Sequence, residues 1–253
     1  MIDSSFIHLN GFGREKEANL WRKGIINWRD FIDAKEIKGI SKERKKEYDI
    51  ELEHSSLALE ERDASFFFFN FPSSESWRLF KTFKNDAVYL DIETSVYYGD
   101  ISVIGLYDGE ESISFVKGYN LSRHNLIEAL RDFKLIITFN GSCFDLPLIK
   151  KRFGDVFPKV PHIDLRFVCN RLGLKGGLKN IEKMLNISRD NKIKEVRGGD
   201  AVYLWEMFYS TRNKNYLEKL IEYNRADIVN LEPIAEFCYS KLKEDLFKGI
   251  KIL

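Results

Sequence analysis

Five residues in the last two thirds of the chain have the types and spacing of a metal-dependent catalytic site: Asp91, Glu93, Asp145, Tyr223 and Asp227. Each of the four carboxylates lies at the end of, or inside, an otherwise apolar segment. A carboxylate in such a place is costly unless it is paired or binds a metal ion. The pattern therefore indicates a divalent-metal site, and with it an enzyme.

Asp91 and Glu93 lie two positions apart at the end of a predicted strand, residues 86–93. Side chains two apart on a strand project from the same face, about 6 to 7 Å apart along it. Two carboxylates on one face repel each other, so a bound cation would explain their pairing. The other interpretation is that both side chains reach solvent at the strand end.

Tyr223 and Asp227 are four residues apart on a predicted helix from about 214 to 239, so their side chains are neighbours. The alternative for this pair is a hydrogen bond at the edge of the core.

Asp145 lies in the first turn of a predicted helix, where an acid can simply stabilise the helix N-terminus. All three arrangements together favour the metal site. Pro233 predicts a kink or break near residues 229–232 of the last helix.

The segments around these acids predict an α/β domain. Three strands form an antiparallel meander, with a short turn at Asp108-Gly109 between the second and third. A buried strand and its flanking helices then require a parallel crossover connection. The predicted strands are 86–93, 101–107, 112–116 and 134–139, and the predicted helices are one capped by Ser122, one beginning near Phe144, and about 164–172, 178–186, 200–210 and 214–239.

The composition gives no indication of a membrane protein, a disulfide-rich protein or a strongly basic nucleic-acid-binding protein. The 253 residues are 44% hydrophobic, contain no run long enough to span a bilayer and begin without a signal peptide pattern, which predicts a cytoplasmic protein with no membrane partner. Cys143, Cys169 and Cys238 are too far apart for a typical zinc site, so we predict packing roles for them. A net charge of +1 means that nucleic-acid affinity would come from local patches and metal ions.

Residues 1–80 are predicted to form an α-rich N-terminal extension, and residues 81–253 the main domain. The turn-forming stretch 71–76 is the predicted boundary. Four consecutive aromatic residues, Phe66–Phe69, precede it, and we expect this run to be a buried strand or a docking surface, with its rings buried.

Residues 9–31 resemble the hairpin and second helix of a helix-hairpin-helix motif. In that motif a Gly-x-Gly turn presents backbone amides to a phosphate group without reading base sequence. The resemblance makes Gly11, Gly13 and Arg14 candidate phosphate-binding residues. The alternative is a turn that only packs the aromatic residues that follow it against the main domain.

Three motifs in residues 86–240 resemble the tyrosine-bearing subgroup of the DEDD exonuclease superfamily, which includes the proofreading domains of DNA polymerases. The motifs are Asp91-Ile-Glu-Thr94, Phe139-Asn-Gly-Ser-Cys-Phe-Asp-Leu-Pro-Leu148 and Tyr223-Asn-Arg-Ala-Asp227. The histidine-bearing subgroup would have histidine at position 222, which is Glu222 in this chain. Stand-alone RNase H-like proteins of the superfamily also share stretches like 162–165 and 178–182.

The resemblance implies an RNase H-like fold, with a mixed five-stranded sheet flanked by helices, and a two-metal-ion mechanism. Asp91 would bridge two Mg²⁺ or Mn²⁺ ions about 4 Å apart. Glu93 and Asp227 would help to hold the ion that activates water, and Asp145 the other ion. Tyr223 would orient the attacking water.

The same resemblance implies a 3′-to-5′ exonuclease that releases 5′-mononucleotides from a single-stranded nucleic acid with a free 3′ end. Thr94, Asn140 and Phe144 would contact the substrate. One alternative is an endonuclease or structure-selective nuclease, which the same metal ions would support. The other is a non-catalytic module that binds nucleic acid or a protein partner on an RNase H-like scaffold, since fold alone does not determine function. A binding module, however, gains nothing from a cluster of repelling carboxylates.

Overall fold

The computed structural model of the chain describes residues 1–96, 100–189 and 198–248, and these residues form two compact units. Unit 1 contains Met1–Lys84, Lys159–Pro161 and the described residues from Tyr239 onward. Unit 2 contains Asn85–Pro158 and the described residues of His162–Cys238. The division at residues 80 and 81 that the sequence suggests stays a prediction.

Unit 1 is helical. Its helices are α1 (Arg14–Arg22), α2 (Trp28–Asp33), α3 (Lys42–Glu60), α4 (Ala64–Asn70) and α5 (Phe80–Phe83), with 3-10 turns at Ile2–Ser4 and Ser73–Leu79. Side chains of Asn27, Ser41 and Asp63 accept hydrogen bonds from backbone amides at the starts of α2, α3 and α4. Such caps satisfy amides that a helix start leaves without partners.

The phenylalanine run lies on a helix, so the predicted strand is wrong. The Asp63 carboxylate accepts bonds from the amides of Ser65 and Phe66, and this cap starts α4. A helix turns successive side chains to different sides, so four consecutive rings cannot share one buried face. Phe67 is buried, whereas Phe68 and Phe69 are exposed, and the expectation that the whole run is buried is also wrong.

Unit 2 is built on a five-stranded sheet in the order β3-β2-β1-β4-β5. Its strands are β1 (Ala87–Thr94), β2 (Ile101–Tyr107), β3 (Ser112–Val116), β4 (Leu135–Thr138) and β5 (His162–Asp164). The pairs of β1 with β2 and of β2 with β3 are antiparallel, and the pairs of β1 with β4 and of β4 with β5 are parallel. This mixed sheet confirms the predicted fold class and makes β1 the central strand.

Helices surround the sheet: α6 (Arg123–Leu130), α7 (Asp145–Phe153), α8 (Leu165–Arg171), α9 (Leu178–Met184), α10 (Gly198–Thr211) and α11 (Lys214–Phe247). The predicted cap of α6 by Ser122 is confirmed, because its hydroxyl accepts a bond from the amide of Asn125. By contrast, α11 runs past Pro233 without a break, so a break there is wrong, and the alternative of a kink stays a prediction. The buried side chains of Leu231, Ile234 and Ala235 hold this part of the helix, although proline cannot donate a backbone hydrogen bond.

The cysteines have different environments. Cys169 and Cys238 are buried, and their sulfur atoms lie 3.6 Å apart, consistent with packing. Cys143 is exposed, so the packing role predicted for it is wrong. It occupies the turn before α7, where its amide bonds to the carbonyl of Asn140. Among the described residues, no helix combines the length and the apolar character needed to cross a membrane.

Candidate metal centre

The central strand β1 places two of the predicted acids on one face of the sheet. Residues 87–90 of β1 are fully buried, which fixes the strand between β2 and β4. Side chains alternate along a strand, so Asp91 and Glu93 project together while Ile92 is buried on the other face. Asp91 keeps partial exposure and Glu93 is buried. The strand therefore presents two carboxylates side by side.

Helix α11 brings a third carboxylate to this pair. A ligand oxygen from each of Asp91, Glu93 and Asp227 lies within 4.8 Å of the other two. Tyr223, one helical turn before Asp227, is buried and packs in an apolar cluster with Val103, Trp205 and their neighbours. Residues separated by more than 130 positions in the chain thus form one cluster. Such an all-oxygen set is suited to a hard divalent cation.

Asp145 contacts the same strand through the backbone of β1. It is the first residue of α7, it is buried, and its Oδ1 accepts a hydrogen bond of 3.1 Å from the backbone amide of Ile92. The carboxylate therefore meets β1 between Asp91 and Glu93. Asp145 is not one of the three residues whose ligand atoms lie within 4.8 Å of one another. The predicted helix-start position of Asp145 is confirmed, and its bond to β1 is an additional finding.

Burial and mutual repulsion make these acids hard to ionise. Burial raises the pKa of Asp145 to about 7 and the pKa of Asp227 to about 6. Burial, followed by the charges of the neighbouring acids, raises the pKa of Asp91 and of Glu93 well above their usual range. The charged forms need a compensating cation to persist near neutral pH. The donor set and its electrostatics both fit a divalent metal ion.

A basic residue that sequence reasoning missed already compensates part of this charge. The guanidinium of Arg189 forms an ion pair with Asp227 and donates two bonds of 2.7 Å to Glu182. Glu182 also accepts a bond of 2.9 Å from the side chain of Asn230, one turn beyond Asp227 on α11. Glu182 belongs to the 178–182 stretch noted in the sequence, but no local pattern marks Arg189. Arg189, Glu182 and Asn230 thus form a hydrogen-bonded group that fixes the Asp227 carboxylate through its ion pair with Arg189.

A cleft of about 560 Å³ opens over the acids. Asp91 and Asp227 line it together with residues from the β4–α7 turn, from α8, and from the start of α9 and the segment before it: Phe139, Asn140, Arg166, Asn170, Gly176, Gly177 and Leu178. The predicted substrate residue Asn140 therefore lies in the same cleft as the metal-ligand candidates. A cleft of this size is typical of small-ligand sites.

The position of Asn140 is strongly determined. Its φ of 68° is in the left-handed region, which asparagine tolerates better than most residues. Its amide donates to Asp164 at 2.7 Å, and its side-chain oxygen accepts a bond of 2.6 Å from Arg166. Asp164 also accepts a bond from the backbone amide of Ser142. The β4–α7 turn is thereby fixed beside the cleft.

The other candidate substrate residues are near this region of the fold. Phe144 caps α7 directly before Asp145 and leaves 37% of its surface exposed. Thr94 ends β1, and the pairing register with β2 shifts between Glu93 and Thr94. Neither residue is among those that line the cleft.

The candidate phosphate-binding residues belong to unit 1. Gly11 has a φ of 75° and Gly13 is the N-cap of α1 without a side chain to cap it. Arg14 is the first residue of α1, and its guanidinium pairs with the carboxylate of Glu75. This pairing gives Arg14 a structural partner, whereas Gly11 and Gly13 are exposed.

The fold and the cluster define an α/β protein with a candidate divalent-metal centre at the end of its central strand. Residues 88–239 match the family model of the RNase H superfamily. The match spans more than half of the chain and includes Asp91, Glu93, Asp145, Tyr223 and Asp227, so the chain belongs to the RNase H superfamily. Comparisons with curated proteins and with solved structures give no significant match. Membership in this superfamily indicates nuclease-type activity on nucleic acid.

Proposed function

We propose that this protein is a metal-dependent 3′-to-5′ exonuclease that releases 5′-mononucleotides from single-stranded nucleic acid. The observation that carries this proposal is the convergence of Asp91, Glu93 and Asp227 within 4.8 Å, with Asp145 bonded to the same strand. Four acids of high pKa in one place are unfavourable for folding alone, and a role in cation binding explains them.

The residues present suit two Mg²⁺ or Mn²⁺ ions. Asp91, at the centre of the acidic set, would contribute to both sites, with Glu93 and Asp227 at one and Asp145 at the other. The ions would supply a nucleophilic hydroxide, stabilise charge on the phosphate and assist the leaving 3′ oxygen. The chain itself holds the carboxylates in place through β1, the Ile92 amide and the Arg189 ion pair.

In this proposal Tyr223 orients the attacking water. Burial, then the charge of Asp227, raises its pKa, so the phenol stays protonated at neutral pH. A neutral hydroxyl can both donate and accept a hydrogen bond. The ammonium group of Lys179 lies 4.8 Å from the ring centre and packs against the tyrosine. The hydroxyl, rather than a phenolate, therefore carries the proposed role.

Replacing Tyr223 by phenylalanine is expected to slow turnover more than it weakens binding. The change removes one hydroxyl and keeps the ring in its apolar cluster. A hydrogen bond in such a site contributes about 1 to 3 kcal/mol, which corresponds to a decrease in kcat of about 5- to 150-fold. Steady-state kinetics would show the decrease in kcat at nearly constant KM. An unchanged kcat would remove Tyr223 from the proposed mechanism.

The cleft suggests how a nucleic-acid end is held. Asn140 and Arg166 line the cleft and offer polar contacts beside the acids. Phe144 is not part of the cleft lining, but its partly exposed ring offers a surface on which a base can stack. Thr94 follows the acidic pair directly along β1. Stacking needs unpaired bases, so these features favour single-stranded substrates.

The proposal is tested by following 5′-labelled single-stranded DNA and RNA oligonucleotides over time with Mn²⁺, Mg²⁺ or EDTA. An exonuclease of this polarity gives a ladder that shortens from the 3′ end, and mononucleotides carrying a 5′ phosphate. The faster of the two reactions identifies the sugar preference. Intact oligonucleotides that bind the protein would instead support the non-catalytic module.

The N-terminal glycine turn is proposed as a separate phosphate contact, and Gly13→Glu tests it. A Cβ at Gly13 meets no other atom within 4 Å, so the glutamate fits while adding a negative charge at the start of α1. Repulsion of about 0.3 to 1 kcal/mol would weaken oligonucleotide binding about two- to fivefold at low salt. Fluorescence anisotropy in an Asp91→Ala background measures binding without cleavage.

Gly13→Ala is the matched control, because it adds a side chain without a charge. We expect it to bind like the Asp91→Ala parent. If Gly13→Glu also binds like the parent, the phosphate role of Gly11, Gly13 and Arg14 is wrong, and this turn only packs in unit 1.

A further inference from the structure

Asn224, a buried residue next to Tyr223, contacts Asp91. Asn224 lies between Tyr223 and Asp227 on α11 and has no exposed surface. Its Nδ2 donates two hydrogen bonds to Asp91, one of 2.9 Å to the side-chain Oδ2 and one of 3.3 Å to the backbone carbonyl. One amide group therefore holds both the side chain and the backbone of Asp91. This contact joins α11 to β1 at the centre of the acidic cluster.

The Asn224 amide occupies the space that a side chain at Gly105 would take. Gly105 on β2 is paired with Asp91 across the β1–β2 ladder. A Cβ built at Gly105 would lie 1.9 Å from Oδ1 and 2.9 Å from Cγ of Asn224, much closer than real atoms approach. The backbone of Gly105 is not in the left-handed region, so conformation does not require glycine there. Glycine is required at position 105 because any larger residue would occupy the space of the Asn224 side chain.

Packing alone is a poor explanation for this asparagine. Its Oδ1 is buried and has no hydrogen-bond partner among the described residues. A buried acceptor without a partner costs free energy, and an apolar side chain of similar size would avoid that cost. The amide also supplies a neutral donor to a carboxylate that is surrounded by other acids. The two contacts of the amide fix the orientation of the Asp91 carboxylate relative to its own backbone.

We propose that Asn224 is a positioning residue that orients the Asp91 carboxylate for metal binding, and that Gly105 provides the space it requires. The inference rests on the proposed metal centre. Nδ2 engages one oxygen of Asp91 and so sets the direction of the other. Asn224 touches neither substrate nor the reacting atoms in this arrangement; it acts through Asp91.

Three variants separate positioning from stability. Gly105→Ala keeps the amide but pushes it out of its place. Asn224→Ala removes the amide and leaves a gap. The double variant Gly105→Ala/Asn224→Ala removes the amide and fills part of the gap, because the atoms that a Cβ at position 105 meets most closely belong to Asn224. We expect the double variant to melt at a higher temperature than Gly105→Ala.

Binding of Mn²⁺ is the readout, measured by isothermal titration calorimetry and by electron paramagnetic resonance of free Mn²⁺. All three variants should bind Mn²⁺ at least about tenfold more weakly than the wild-type chain, whatever their melting temperatures. In the nuclease assay kcat should fall while KM for the oligonucleotide changes little. Leu130→Ala is the control, because Leu130 is buried on α6, which contributes no ligand to the cluster. It should lower the melting temperature without changing Mn²⁺ affinity.

The outcomes distinguish this inference from the proposed function. If the wild-type chain binds Mn²⁺ and the folded double variant binds it equally well, the positioning role is wrong and the proposed function stands. Affinity that falls in proportion to melting temperature, including in Leu130→Ala, would also overturn the positioning role. If the wild-type chain binds no Mn²⁺, both the metal centre and the inference that rests on it are overturned.

Discussion

Replacing Asp91 by asparagine should abolish nuclease activity and at the same time raise the melting temperature of the metal-free protein. Asp91 is placed at the centre of the acidic cluster, so its loss removes a ligand from both proposed metal sites. A contribution of several kcal/mol to the transition state corresponds to a decrease of at least about 10³-fold in kcat/KM. Asp91→Ala and Asp227→Ala should also abolish turnover and leave a folded protein.

The gain in stability has an electrostatic cause. Burial and the charges of Asp145, Asp227 and Glu93 all raise the pKa of Asp91, which means that its charged form is destabilised in the folded chain. A neutral amide of the same shape removes that repulsion. Most substitutions of buried residues destabilise a protein, so a rise in melting temperature in EDTA would be specific evidence for the cluster.

Asp132→Asn is the matched control, since Asp132 is an exposed acid next to Arg131 in the same unit. It should leave both activity and melting temperature unchanged. Circular dichroism would confirm that each variant is folded, and differential scanning fluorimetry in EDTA would give the melting temperatures. An Asp91→Asn protein that still cleaves nucleic acid at the wild-type rate would show that the site is misassigned.

The second large effect is a change in the pH dependence of stability when a divalent metal binds. The pKa of Asp145 is raised to about 7 and that of Asp227 to about 6 in the folded chain. Carboxyl groups with a raised pKa bind protons more tightly in the folded state than in the unfolded state. Their contribution to stability is therefore fully present below about pH 4 and is lost as the pH rises through 6 to 7.

Metal binding requires ionised carboxylates, so the stability that the metal adds increases as the pH rises. At pH 8, Mn²⁺ at about 100 times its dissociation constant adds about 2.7 kcal/mol, or a rise of about 5 to 10 °C in melting temperature. At pH 5 the same Mn²⁺ concentration should have little effect, because protons compete for the ligands. The metal-induced rise should therefore increase steadily from pH 5 to pH 8.

Scanning fluorimetry at several pH values, with EDTA or Mn²⁺, measures this difference directly. Subtracting the two curves at each pH removes the contributions of ionisable groups elsewhere in the chain. Asp91→Asn should show almost no metal-induced rise at any pH. An equal rise at pH 5 and pH 8 in the wild-type chain would mean that Mn²⁺ binds somewhere other than the acidic cluster.

Local patterns in the sequence predicted four of the five strands of the sheet in unit 2, and missed the short strand β5. Alternating and continuous apolar runs, bounded by turn residues, gave β2 and β3 with the bounds that the structure shows. The same patterns placed Asp91 and Glu93 on one face and Tyr223 one turn before Asp227. These features depend on residues that are close together in the chain, where strand and helix periods are reliable guides.

The sequence-based errors share a physical cause. The run of four phenylalanines is hydrophobic enough for a strand, but the Asp63 cap and the packing of Phe67 produce a helix. A break of α11 near Pro233 was one of the two predicted effects of this proline, yet the helix and its buried face continue on both sides of it. In both places tertiary packing outweighs the local preference of the residues.

The supporting residues of the metal centre could not be found from spacing. Asn224 is 133 positions from Asp91, and its contact depends on the absence of a side chain at Gly105. Arg189 reaches Asp227 from a segment with no recognisable motif. Only the folded chain brings these groups together. The acids were predictable because their chemistry is unusual in apolar segments, whereas an asparagine, a glycine and an arginine are ordinary residues in a sequence.

The need for a free 3′ end is measured by comparing a linear single-stranded oligonucleotide with the same oligonucleotide closed into a circle, each incubated with the wild-type chain and Mn²⁺. An exonuclease needs a free 3′ end, so we predict that the linear substrate is degraded to 5′-mononucleotides while the circle stays intact. The Asp91→Ala protein should leave both intact. Cleavage of the circle would contradict the account in favour of an endonuclease, and binding of both substrates without cleavage would contradict it in favour of a non-catalytic module.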